Sequence, residues 1–127
     1  MVRILLIALA GALGTLTRYF VGIWAGRALG TSFPYATLIV NVSGCFLIAL
    51  VAQIAAATML ISPTFRLALM TGFMGGLTTY SSFNFETTSF LRERAWTTGA
   101  ANVGITLAAC FASGLLGFAL AKRLVGE

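Results

Sequence analysis

Four stretches of the chain contain no Lys, Arg, Asp or Glu: residues 4–17, 28–65, 67–85 and 95–121. Runs of this kind need a solvent without water, and a bilayer core of ~30 Å takes ~20 helical residues to cross. They predict an all-α integral membrane protein with four transmembrane helices, near residues 4–27, 35–60, 64–90 and 96–122. The apolar character is continuous along each run, which excludes a transmembrane β-barrel, where it would alternate. Charged residues make up only 9% of the 127 residues, against about 25% in a soluble domain. Mean hydropathy is +0.98. Four spans use nearly the whole chain, so residues 1–127 are read as one transmembrane domain with no separate soluble part.

The opening Met1-Val2-Arg3 and the small residues Ala10 and Ala12 resemble a cleavable signal. The apolar run continues past them to Phe20–Trp24, however, so the first segment is read as a retained helix. Cys45 and Cys110 lie inside predicted spans, without CxxC spacing and in a chain with no His. The sequence therefore offers neither a disulfide framework nor a metal motif. A net charge of +5 does not indicate nucleic acid, because the basic residues are scattered at helix ends, where membrane helices keep them.

Following the spans, Arg3, Arg66, Lys122 and Arg123 fall on one side, and Arg27, Arg92 and Arg94 on the other. Charge bias normally sets orientation, and this chain has almost none. Such balance fits either a single orientation that the charges encode only weakly or dual topology, with one copy in each orientation forming the functional unit. Gly22, Gly26 and Gly30 recur every four residues, and Gly114 and Gly117 mark the last span. Such spacing allows close helix–helix approach and fits a homodimer.

Polar atoms at membrane depth are the candidates for function. Asn41 lies in segment 2, one helical turn after Thr37, and its amide is costly in hydrocarbon unless hydrogen-bonded. It can bond a neighbouring helix or donate to an anion in a narrow route. Asn102, Thr106 and Cys110 form an i, i+4, i+8 stripe on an otherwise apolar segment 4, as the wall of a polar pathway would. Arg18 falls near the middle of segment 1, where a guanidinium costs ~2.5–3.5 kcal/mol unless it snorkels or faces water. It points to an electropositive vestibule that would concentrate anions.

The stretch "GFMGGLTTYSSFNFET", residues 72–87, breaks the rules of an apolar span. Gly75-Gly76 weakens helix by about 1 kcal/mol per residue relative to Ala. A break there would free carbonyls from Gly75 to Thr78, and unwound carbonyls are good cation ligands. Tyr80 and Phe83 share a face if helix resumes, and the positive edge of an aromatic ring can hold an anion without a fixed charge. Irregular backbone at this depth is tolerated only inside protein or along a cavity.

With these residues in place, the sequence resembles the Fluc, or CrcB-type, family of bacterial fluoride channels. The resemblance runs along essentially the whole chain through "GTLTRYFVG", "FPYATLIVNVSGCFLIA" and "TGFMGGLTTYSSFNFET". It implies an antiparallel dual-topology homodimer in the bacterial inner membrane, with two pores and a central Na+, passing fluoride passively and rejecting chloride. It implies that Asn41 hydrogen-bonds the anion, that Phe83 and Tyr80 are the paired pore aromatics, and that Ser81, Ser82, Thr106 and Cys110 continue the polar track. It also implies that Gly75 and Thr78 offer backbone carbonyls to the sodium, and that Arg18 is the vestibule arginine. Partners are thus a second copy, fluoride and lipid, and not nucleic acid.

Two positions depart from the family pattern. Tyr80 stands where Phe is usual, adding a phenol oxygen near a constriction. Cys110 stands where a hydroxyl is expected, and a thiol is the weaker donor. The competing reading is a small dual-topology multidrug exporter coupled to protons. That mechanism needs a carboxylate in segment 1, which carries Arg18 instead; Glu86 is the only membrane acid available. Enzymatic chemistry has no paired carboxylates, His or Cys pair to use.

Overall fold

The computed structural model describes residues 1–126, which are helical with no strand among them. Helix α1 spans Val2–Ala28, about 40 Å at 1.5 Å per residue, and α2 spans Tyr35–Ala57. Gly30, at φ +82°, and Pro34, at the N-cap of α2, turn the chain between them. Helix α3 covers residues 63–77 in three joined pieces: an α-turn Pro63–Leu67, a π-helical stretch Ala68–Met74 and a last turn Gly75–Leu77. Ser62 caps its start by accepting from the Phe65 N–H, with Pro63 at the first helical position. Thr78 and Thr79 are extended (ψ 156° and 113°), and α4 begins immediately at Tyr80, running Tyr80–Arg92. Helix α5 spans Trp96–Val125 and ends at left-handed Gly126.

Helices α1, α2 and α5 are each long and apolar enough to cross a membrane. The expected third span is divided between α3 and α4, and the break that the sequence placed near Gly75–Thr79 falls at the C-terminal end of that range. Helix continues through both glycines, which corrects the expectation that they cause the unwinding. Gly76 serves packing instead: a Cβ there would lie 2.3 Å from the Gly11 carbonyl oxygen of α1. Gly14 is the reciprocal case, with an added Cβ 2.1 Å from the Phe73 carbonyl oxygen. Helices α1 and α3 thus meet backbone to backbone.

Helices α2 and α5 form the most extensive pair, and α4 packs on α5. Gly117 gives α5 its closest approach to α2, and the Ser113 hydroxyl donates to the Val42 carbonyl at 2.7 Å. A Cβ added at Gly22 or Gly26 would meet nothing within 4 Å among the described residues outside its own stretch of helix, so these glycines are not needed for packing within the protomer. Arg3 Nε donates to Thr64 Oγ1 at 3.2 Å, which places Arg3 and the nearby Arg66 at the same end, as the charge reading required.

Large apolar side chains cover the outside: Leu9, Leu13, Leu16, Phe20, Phe111 and Leu115 are all exposed. In water this surface would drive aggregation, and in lipid it is the solvent-facing side of a multi-pass membrane protein.

Candidate functional site: the break between α3 and α4

A chain that unwinds at membrane depth must find new partners for its backbone. Here they come from Asn41 and Arg18. The Thr79 N–H donates to Asn41 Oδ1 at 2.8 Å, and Asn41 Nδ2 donates to the Thr79 carbonyl at 3.1 Å. Both residues are buried, so this two-point clamp holds the break in a low dielectric, where hydrogen bonds are electrostatically strong. A continuous helix would send the Thr79 N–H to the Gly75 carbonyl. Asn41 diverts it, and the Gly75 carbonyl loses that partner. The Thr78 carbonyl accepts from Arg18 Nη1 at 3.2 Å. Arg18 is therefore half-buried and turned inward to the break rather than snorkelling to the headgroups.

The start of α4 is capped from within the stretch. Thr79 Oγ1 accepts from the Ser82 N–H at 3.1 Å and shares hydroxyl contacts with Ser82 Oγ (3.0 Å) and Ser81 Oγ (3.2 Å). The predicted hydroxyls are thus brought together, with Thr79 at their centre. Thr79 escaped the sequence reading as a site residue, although Ser/Thr three residues before a capped N–H is the ordinary N-cap signal. Two opposed half-helix ends now face the same place. The N-terminus of α4 offers N–H groups and positive dipole, and the end of α3 offers carbonyls.

The Tyr80 and Phe83 rings lie side by side, centroids 5.7 Å apart and inclined at 53°. Their surroundings differ sharply: Phe83 is 8% exposed and Tyr80 77%. A groove of ≈ 390 Å³ between α2, α3 and α5 is lined by Asn41, Thr79, Tyr80, Phe83, Thr106 and Cys110, among others. Seven of the expected site residues therefore share one space with the break: Gly75 and Thr78, the two aromatics, Asn41, Thr106 and Cys110. Ser81 and Ser82 adjoin it through Thr79, and Arg18 reaches it through the Thr78 carbonyl.

The expected stripe on α5 divides in function. Asn102 is only 1% exposed and donates through Nδ2 to Thr87 Oγ1 at 2.9 Å, while Thr106 Oγ1 donates to its Oδ1 at 3.4 Å. Thr87 in turn donates to the Phe83 carbonyl at 2.8 Å. Asn102 is a brace from α5 to Thr87 of α4, whereas Thr106 and Cys110 line the groove. Glu86 accepts from the Thr37 hydroxyl at 2.6 Å, and its second oxygen is enclosed without a partner.

This constellation is met in known proteins. A model of the CrcB-like protein family, described as camphor resistance (CrcB), matches residues 5–118. The chain belongs to the CrcB-like family. A Sorangium cellulosum protein named fluoride-specific ion channel FluC is 51% identical over 119 residues, 94% of each chain. The protein of that name from Citrifermentans bemidjiense is 43% identical over 98% of this chain and 100% of its own. One from Rhizobium etli is 45% identical over the same shares. The CrcB-like match spans α1, the broken crossing and most of α5, so it takes in Arg18, Asn41, Thr79 and Phe83 together.

Proposed function

We propose that this CrcB-like protein is a passive fluoride channel of the bacterial inner membrane, an antiparallel dual-topology homodimer with two pores and a central Na+. The observation that carries the reading is the Asn41–Thr79 clamp, which fixes a helix N-terminus and neutral donors beside the Phe83 ring. The names of its relatives agree with it. Fluoride holds its water tightly, so a route must replace that shell with closely spaced donors and still let the ion leave. The second Asn41 N–H, the Ser81 and Ser82 hydroxyls, Thr106 and the ring edges of Phe83 and Tyr80 supply such groups without a fixed cation to trap the ion.

One copy leaves this route open on one side, with Tyr80, Ser81 and Phe85 exposed. A second copy would close it, and opposite insertion follows from the near-balanced charges at the two ends. Sodium would be held by the Gly75 and Thr78 carbonyls of both copies and would supply a fixed positive charge joining the two breaks. The donor set fits: the Gly75 carbonyl has lost the helix partner that Asn41 diverts, and the Thr78 carbonyl keeps a lone pair beside the one Arg18 uses.

Fluoride efflux from proteoliposomes tests the channel reading. Efflux should require valinomycin to carry balancing K+, because a passive anion pathway moves net charge, and it should continue when a protonophore collapses the proton gradient. Export of a cation driven by protons, and abolished in Glu86→Gln, would instead support the exporter. Tyr80→Phe should preserve or raise the fluoride rate, since it removes only an oxygen and leaves the two adjacent rings in place. Complete loss in that variant would show that the phenol is required.

A further inference from the structure

The chain has only two cysteines, and both border the same space. Cys45 on α2 and Cys110 on α5 face one space beside the packed pair of helices, and both are free thiols. Both line the groove that holds Asn41 and Phe83, and both line its apolar continuation of ≈ 420 Å³. Met70 and Met74, one helical turn apart on α3, line the same groove. Four sulfur atoms thus border one space. The chain has no His, and among the described residues no carboxylate lines this groove. Hard cations such as Mg2+ and Ca2+ need oxygen ligands, and structural zinc takes four N/S/O ligands, usually thiolates or imidazoles. Thiolate and thioether donors select soft ions instead.

We propose that Cys45 and Cys110 form a two-thiolate site for a soft monovalent cation of the Ag+ and Cu+ class, with Met70 and Met74 as supporting thioether donors. Closed-shell ions of this class accept linear coordination by two sulfurs, so a pair suffices. On binding, each thiol releases one proton to water and each sulfur forms one bond to the cation; no electron is transferred. One positive charge and two thiolates leave a bound unit of net charge −1. That unit sits in the wall of the groove, in a low dielectric, and repels an anion there. Silver or copper(I) therefore closes the route that the neutral thiols leave open. The closing effect rests on the fluoride reading above, whereas the binding does not.

The test is a titration of the purified protein with silver nitrate in chloride-free buffer, following thiolate–silver absorption and counting free thiols by maleimide labelling. One Ag+ per chain should protect both thiols together. Cys45→Ser should weaken binding more than about 100-fold, beyond what changes outside the ligand set cost, and the Met70→Leu/Met74→Leu double variant should weaken it about tenfold. Cys45→Ala provides a second thiol deletion should the serine disturb folding. Two Ag+ per chain, each protecting one thiol independently, would overturn the site. In proteoliposomes, added silver should stop fluoride efflux from the wild type and leave the rate of Cys45→Ser at its own untreated value. Efflux unaffected by silver, with both thiols protected, would overturn the placement of the pair in the fluoride route.

Discussion

Asn41→Asp should reduce fluoride efflux to the background of empty liposomes. The substitution keeps the side chain's size and its acceptor for the Thr79 N–H, but it replaces the Nδ2 donor with oxygen facing the Thr79 carbonyl. The break loses one of its two clamps, and a carboxylate stands in the groove beside Phe83. Two like charges 4 Å apart repel by about 4 kcal/mol at the effective dielectric of protein sites, roughly a thousandfold in anion occupancy. Asn41→Leu separates the two effects, since it removes the clamp and adds no charge. Leaving the Thr79 N–H and carbonyl buried without partners costs about 1–3 kcal/mol each, so this variant should lose stability as well as flux. Efflux near the wild-type rate in Asn41→Asp, with the protein eluting normally from a sizing column, would remove Asn41 from the route.

Gly14→Ala should have the largest effect on folding. A methyl group there would lie 2.1 Å from the Phe73 carbonyl oxygen and 3.0 Å from the Leu77 N–H. The obstacle is backbone, which cannot rotate aside as a long side chain can, so α1 and α3 must separate. Overpacking costs about 1–3 kcal/mol where side chains can adjust, and this site belongs at the top of that range. Arg18 is one turn further along α1, so separation also pulls its guanidinium from the Thr78 carbonyl. Denaturation in detergent micelles should therefore shift to lower denaturant, and residual flux should fall with it. The same change at Gly22, where an added methyl would meet none of the described residues outside its own stretch of helix within 4 Å, should leave folding of the protomer unharmed. Equal stability of Gly14→Ala and wild type would refute the backbone-to-backbone contact.

The crossings were legible from uncharged runs because hydrocarbon penalises charge so heavily that span positions follow from composition alone. The inside of the third crossing was less so. Helix propensity singled out Gly75-Gly76, but propensity is a weak prior that tertiary contacts override. The helix runs on through both glycines, with α1 packed directly on Gly76, and it yields at Thr78–Thr79, where Asn41 and Arg18 hydrogen-bond the freed backbone groups. Those bonds join residues 38 and 60 positions apart, beyond the reach of any local pattern. Periodicity did place Asn102, Thr106 and Cys110 on one face, but it could not show that Asn102 is consumed in bracing α4. Likewise, nothing in the spacing of Cys45 and Cys110 announced that they line one groove.

The most direct test of the central claim is efflux from proteoliposomes loaded with equal fluoride and chloride, with valinomycin present, in sodium and in sodium-free buffer. A fluoride channel built around the α3–α4 break predicts rapid fluoride loss, retention of chloride, and a fluoride rate that falls when sodium is withheld. Chloride leaving as fast as fluoride, or no efflux of either ion, would contradict it.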